Sequence, residues 1–534
     1  VIGQILVALA AAPALAATSA TSATEQARPY DLVLRGGRIV DGTGDPWFRA
    51  DVAIRGDTIV RIAPAIREPA RRVIDVGGLV VAPGFIDIHS HGRDGLFAAP
   101  AAENYLREGV TTFVEGPDGS SPVPLAPFLD SLEILPKSVN VATFIGHGSV
   151  RRKILGDADR APTEAELGAM RLLVDQGMSD GAFGLSSGLF YVPGAFAATD
   201  EVVELARVAG CRGGIYQSHM RDEAGRILDS VRETIAIGER GRLPAQVTHH
   251  KVVGAKNWGL SRDTLALVDE ARVRGIDVTI DQYPYTASST SVGAALTPRW
   301  AQEGGEERAR ARLRDPAIRP RILAETARLI REERGGGDPR RVVIAACGDA
   351  SLDGKNLAEV AAGRGLPPTV EGAAEAALWI VEQGDCDGIF HAIGEEDLER
   401  ILRHPATMVA SDGGIYQSGE GVPHPRSYGT FARVLAVYVR ERRVLTLEEA
   451  VRKMSGFPAA RLGLVDRGLL RPGMKADISV FDPARVRDAA TFEKPHQFSE
   501  GWSLVLVNGA IVLEKDSVTA ARPGRVLYGP GTLR

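Results

Sequence analysis

His89 and His91 stand two residues apart in G-F-I-D-I-H-S-H, a short apolar run that reads as a β-strand. At that spacing on a strand both imidazoles project to one face, where they can share a metal ion. Three further groups close similar apolar runs: His219 in I-Y-Q-S-H, His249 in Q-V-T-H-H-K and Asp412 in M-V-A-S-D-G. Zinc brings the pKa of bound water to about 7, and a carboxylate beside a divalent metal can take a proton and return it to a leaving amine. Asp412 is assigned that acid/base role, and the set reads as a metal-dependent hydrolase. Each member alone has a plainer reading: a solvated histidine, or an aspartate that caps a turn before Gly413. The chain has ten histidines, and four of them at strand ends outweigh those readings.

The elements that must position these groups form a pattern. Eight apolar runs end in polar, reactive residues: His91, Asp118, His147, Ser187, His219, Lys251, Tyr283 and Asp412. Helical stretches follow most of them. Eight strand–helix units with reactive groups at the strand C-termini predict an α/β fold, a (β/α)₈ TIM-type barrel with its active site at that face. Strand-like runs with G-G and G-D turns occupy 30–81 and return over 464–534, which predicts one small β-sandwich built from both chain ends. The barrel is expected over 82–463. Between its seventh and eighth strands the chain is too long for a usual connection, so an insertion is expected at about 290–400, covering the substrate.

A charged fraction of 25% and a net charge of −5 give no reason to expect nucleic acid as a partner. Residues 1–17, apolar and ending in A-L-A, resemble the core and cleavage site of a secretory signal, with 18–29 as a linker. They predict an exported protein, periplasmic or secreted, with no stable membrane span once mature. Three sparse cysteines, Cys211, Cys347 and Cys386, suggest neither a disulfide framework nor a cysteine-based zinc site.

Longer motifs sharpen this. S-H-M-R-D-E-A-G, T-H-H-K-V-V-G, D-Q-Y-P-Y-T-A-S-S-T, S-D-G and P-H-P-R-S-Y-G-T-F resemble the amidohydrolase superfamily and, within it, the N-acyl-D-amino-acid deacylases (D-aminoacylases). The similarity runs over nearly the whole chain. It implies zinc, one or two ions or another divalent metal, with His219 and His249 at the tight position and His89, His91 and Asp412 framing a weaker one. The implied substrate is a small N-acyl-D-amino acid, cleaved to a carboxylate and a D-amino acid. Lys251, Tyr283, Ser289 and Arg426 are then implied to hold its α-carboxylate, a role that suits a guanidinium and its companion donors. Read without the resemblance, Lys251 could instead pair with Asp281, and Tyr283 could be a satisfied core hydroxyl. His147 and Tyr191 are expected to line the pocket.

One departure stands out. The D-aminoacylases place a metal-binding cysteine after the second strand, where this chain reads E-G-P-D-G. Asp118 stands in its place and is the preferred ligand, with Glu115 as the alternative; with neither, a one-metal site on the histidines remains. Carboxylates are harder ligands than thiolates and shift metal preference. Two other readings stay open: a dipeptidase or cyclic-amide hydrolase on the same metal site, and a non-catalytic binding protein.

Overall fold

The computed structural model describes residues 29–533. The signal-like segment 1–17 and the linker up to residue 28 lie outside them. All eight apolar runs contain strands: Phe85–Asp87, Val110–Glu115, Asn140–Thr143 with Ile145–Gly146, Gly184–Gly188, Ile215–His219, Ala245–Val247, Val278–Gln282 and Thr407–Val409. Each pairs in parallel with its neighbours, for example Phe113 with Val141, Ser187 with Ser218 and Ile280 with Thr407. These strands are buried on both faces, which is why they read as continuous apolar runs rather than alternating ones.

The third strand is broken at Phe144, where the ladder pauses and the Phe144 amide donates to Glu115 O at 2.9 Å. The ring closes between the first and eighth strands through a parallel bridge at Ser90 and Gly413. There His91 N donates to Gly413 O (2.7 Å) and Asp412 N to His89 O (2.9 Å). Asp87 fastens the seam from inside. Its carboxylate accepts the Ser411 amide at 2.9 Å and the Ser411 hydroxyl.

Helices Glu164–Asp180, Thr199–Cys211, Ile227–Gly241 and Ser261–Val273 follow strands three to six and cover the outside. The first begins with a reciprocal cap between Thr163 and Glu166, which satisfies amides the helix cannot.

The strands from the two chain ends share one nine-stranded hydrogen-bonded sheet, joined where Val80–Pro83 runs antiparallel to Ile478–Phe481. Its edge strand Thr58–Ala63 returns to residues 473–476, with Ile59 N donating to Met474 O at 2.8 Å, so the sheet wraps around its own core. Period-two alternation divides the faces. Leu504 and Leu506 join that core with Leu32, Leu34 and Ile54, while Val505 and Val507 pack toward the barrel beside Phe85 and Phe481.

The insertion carries its own three-stranded antiparallel sheet: Ser288–Ser291, Cys386–Phe390 and Val342–Cys347. Antiparallel pairing sets Cys347 opposite Cys386, with Cα atoms 4.6 Å apart, and the two form a disulfide. This corrects the sequence reading, in which a separation of 39 residues gave no hint of a pair. Cys211 is free and exposed. Among the described residues no helix is long and apolar enough to cross a membrane.

Candidate active site

At the C-terminal ends of the barrel strands the side chains converge as the sequence pattern requires. His89 and His91 follow the first strand, Asp118 the second, His219 ends the fifth, His249 follows the sixth and Asp412 the eighth. Their ligand atoms form two groups that share Asp118: His89, His91, Asp118 and Asp412, and Asp118, His219 and His249. Asp118 Oδ1 lies 3.4 Å from both His89 Nε2 and His249 Nε2, while Oδ2 lies 3.4 Å from His91 Nε2 and 3.6 Å from His219 Nδ1. Asp412 Oδ1 sits 3.4 Å from His89 Nε2 and 3.0 Å from His91 Nε2.

These spacings decide whether the residues suit a metal. Most are too long for hydrogen bonds. Ligand atoms about 2.0–2.2 Å from a tetrahedral zinc stand roughly 3.3–3.6 Å from one another. Moreover, Nε2 of His89 and Oδ1 of Asp118, 3.4 Å apart, are both buried without a hydrogen-bond partner. Buried polar atoms are rarely left so, and a cation shared among them explains the set. The donors therefore fit a metal centre, and Asp118 would be common to both groups.

The local backbone is bent to reach this arrangement. Asp118 (φ 56°), His249 (φ 33°) and Asp412 (φ 50°) all adopt left-handed conformations that non-glycine residues rarely use. Such strain persists where surrounding structure enforces it, and clusters at functional sites. For His249 the enforcing group is Asp281, whose carboxylate takes the His249 amide at 2.6 Å and whose carbonyl takes the His250 amide at 2.8 Å.

Electrostatics follow from the mixture of carboxylates and imidazoles. Burial opposes charge on Asp118, but the imidazoles of His89, His249 and His219 hold it well below the usual carboxylate range. The Asp412 carboxyl is likewise held low, against burial, by Arg426 and His249. Enclosure pushes the His91 imidazole down, yet Asp118 and Asp412 outweigh it and hold it at about 9. Burial and the neighbouring His249 push His219 down to about 4, the neutral state in which an imidazole can ligate.

A cavity of about 500 Å³ opens onto this centre, lined by His91, Asp118, His219, His249, Asp412, Lys251, Tyr283, Ser289, Arg426 and Tyr191, among others. The Tyr283 ring lies beside both cations, 5.6 Å from Lys251 Nζ and 4.9 Å from Arg426 Cζ, and its buried hydroxyl has no partner. Arg426 Nη1 is 2.8 Å from Asp412 Oδ2, and Nη2 donates to Ser289 O at 3.4 Å. Tyr191 stacks edge-on to His219 at 4.6 Å and bonds Thr290 Oγ1 through its hydroxyl at 3.0 Å. Two cations, a free phenol and a serine thus line the cavity directly beside the metal donors, with Lys251 Nζ 2.6 Å from His249 Nδ1 and Arg426 Nη1 2.8 Å from Asp412.

A model of the amidohydrolase family matches residues 72–513. The D-aminoacylase of Alcaligenes xylosoxydans xylosoxydans is 38% identical over 526 residues, with 94% of this chain and 98% of that protein covered. The N-acyl-D-aspartate deacylase of the same organism is 36% identical over 525 residues, covering 94% and 95%. A crystal structure of N-acyl-D-glutamate deacylase from Bordetella bronchiseptica, complexed with zinc and a phosphonate inhibitor, matches with a TM-score of 0.80. It is 35% identical, with 94% of this chain and all of that one covered. The chain belongs to the amidohydrolase family.

Within this amidohydrolase the structure sorts the residues read from the sequence. Glu115 is a correction: it joins neither metal group. It is buried against Arg93, accepting its amide at 3.1 Å and lying 3.4 Å from its guanidinium. Glu115 is the last residue of the strand itself, three residues before Asp118, whereas the left-handed bend at Asp118 places that carboxylate among the histidines. Lys251 pairs with Glu223 at 2.6 Å, and not with Asp281. His147 does not line the cavity; it is fully buried, 2.9 Å from Glu201, which also binds Arg151.

Glu223 went unread, although it stands in S-H-M-R-D-E-A-G four residues after His219. It lies 3.2 Å from His249 Nδ1 as well as binding Lys251, so one carboxylate orients a metal donor and a substrate cation together.

Proposed function

We propose that the centre holds zinc and that the protein hydrolyses N-acyl-D-amino acids to a carboxylate and a free D-amino acid. One observation carries this reading: two groups of potential metal donors that share Asp118 line one cavity together with Lys251, Arg426 and the unpartnered Tyr283 hydroxyl. Relatives that match over nearly the whole chain bear the names D-aminoacylase and N-acyl-D-aspartate deacylase, which agrees with it. His219, His249 and Asp118 would hold one ion, and His89, His91, Asp118 and Asp412 a second. Bound zinc would supply a Lewis acid for the acyl carbonyl and lower the pKa of water.

The remaining chemistry falls to the chain's own residues. Asp412 stands at the edge of the metal donors with its carboxylate ionised, placed to receive a proton from water and return it to the departing nitrogen. Arg426 links the two halves of the site. Its guanidinium faces the substrate clamp and also depresses the basicity of Asp412 from 2.8 Å. A substrate carboxylate that engages Arg426 shares that charge and raises the basicity of Asp412 as the reaction begins. Lys251, anchored by Glu223, and the Tyr283 hydroxyl complete the hold on the α-carboxylate.

The test is a substrate panel on zinc-loaded protein: N-acetyl-D- and N-acetyl-L-amino acids, dipeptides and hydantoins. Turnover confined to the N-acetyl-D series supports the reading; turnover of dipeptides or hydantoins alone overturns it. Export belongs to the same proposal, supported by the apolar residues 1–17. Cell fractionation that leaves the protein wholly in the cytosol would reject it.

A further inference from the structure

His424 lines the cavity, is only 3% exposed, and has no part in the reaction described above. Both of its ring nitrogens are bonded to backbone. Nδ1 receives the Arg426 amide at 3.0 Å, and Nε2 lies 3.0 Å from the Ala287 carbonyl oxygen. An amide N–H can only donate and a carbonyl can only accept, so these two neighbours fix one tautomer, with the proton on Nε2. Burial, and after it the Arg426 charge, pushes this imidazole well below its usual range, so the ring is held neutral.

Each bond reaches a different arm of the carboxylate clamp. Arg426 opens the helix Arg426–Arg433, and an amide in the first turn has no carbonyl of its own helix to donate to. His424 supplies the acceptor that the helix cannot, and so sets where the Arg426 side chain starts. Ala287 immediately precedes the strand Ser288–Ser291, which carries Ser289, and the same ring holds the start of that strand. On the cavity side Arg426 Nη2 and Ser289 O are 3.4 Å apart, so the shorter link between the arms runs behind them, through His424. Tyr283 touches it as well, with its ring edge-on at 6.1 Å. Tyr285 and Phe492 stand edge-on at 5.3 and 5.0 Å, and the rings packed around the imidazole resist its rotation. Arg426, Ser289 and Tyr283 are therefore all attached to one buried imidazole, while Lys251 is held by Glu223.

We infer that His424 is a positioning residue, which sets the separation of Arg426 and Ser289 so that both reach one substrate α-carboxylate. The inference rests on the deacylase reading, which assigns that carboxylate to the clamp. The two bonds can be removed separately. An Asn side chain places an amide oxygen where Nδ1 stands, within reach of the Arg426 amide two residues on, but stops short of Ala287. A Gln side chain extends to the position of Nε2 and can donate to Ala287. Leu fills the volume and makes neither bond.

On zinc-loaded enzyme with N-acetyl-D-leucine, His424→Leu is expected to raise KM about 10-fold or more while kcat changes by less than about threefold, the mark of lost ground-state hold. His424→Asn and His424→Gln each recover part of that loss. Titration calorimetry of free D-leucine gives a readout without turnover, and its affinity falls in step with the rise in KM. Acetohydroxamate, a metal-binding probe with no α-carboxylate, keeps its wild-type affinity in all three variants.

A fall in kcat with KM and D-leucine affinity unchanged overturns the role, because the ring would then act on the chemistry and not on the hold. So does an equal loss for D-leucine and acetohydroxamate, which marks a general loosening of the site. Should His424→Leu fail to fold, the other two variants decide: wild-type affinity for D-leucine in both rejects the inference. Absence of turnover on every N-acetyl-D substrate, with D-leucine binding still dependent on His424, rejects the deacylase reading and leaves the positioning role standing; absence of turnover and of D-leucine binding rejects the two together.

Discussion

Asp118 touches donors from both metal groups, so its loss should be felt at both positions. Asp118→Asn is expected to leave less than one tightly bound ion per chain by metal analysis, whereas Glu115→Gln keeps the wild-type content because Glu115 serves Arg93. Equal loss in the two variants would refute this division. Asp412→Asn should retain near-normal metal while kcat/KM falls about 10²–10⁴-fold, the range of a lost general acid/base. Retained turnover in that variant would remove Asp412 from its role. At this scale the donors themselves were legible in the sequence from their joint placement at strand ends, not one by one: His147 also closes an apolar run, yet it is buried against Glu201. Their supports were not. Glu223 and Asp281 reach His249 through a loop and a neighbouring strand, and no periodicity records that His249 must bend to φ 33° to meet them.

The elements show the same division for a different reason. The barrel strands could be read because each is short, apolar and buried on both faces. In the insertion only the apolar R-V-V-I-A-A reads as a strand, and it is the strand Val342–Cys347; Ser288–Ser291 is polar and half-buried, and its pairing with Cys386–Phe390 is antiparallel and long-range. The disulfide was hidden with it. Cys347–Cys386 crosslinks two neighbouring strands of the small sheet, whose core includes Leu357, Val360 and Ile380. A crosslink of this kind contributes about 2–4 kcal/mol to the unit that contains it. Reduction, or Cys347→Ser with Cys386→Ser, is therefore expected to expose the insertion to proteolysis before the barrel, with cleavage sites mapping between residues 288 and 390. Unchanged proteolysis under reducing conditions would show that the bond does not hold the insertion together.

Across the whole molecule the two chain ends are tied by charge as well as by the shared sheet. Asp57, in the turn before the strand Thr58–Ala63, lies 2.9 Å from both Lys475 Nζ and Arg525 Nη1. These partners, Lys475 foremost, lower its pKa to about 2. A carboxyl depressed in the folded state stabilises fully above its unfolded value of 3.8, and that contribution disappears as pH falls through about 2. The residue is largely solvated, so the effect is on the order of 1 kcal/mol after screening. Asp57→Asn should flatten the loss of stability between about pH 4 and pH 2 in urea titrations, with no change in slope expected at neutral pH. The seam of the barrel carries a wider consequence. It joins the first barrel strand to be synthesised to the last, and His89, His91 and Asp412 sit astride it. A nascent chain that ends before Asp412 already has every histidine of the centre but neither the acid nor a closed ring. Hydrolysis can therefore begin only once the final strand has docked, and catalytic competence reports that the barrel has been completed.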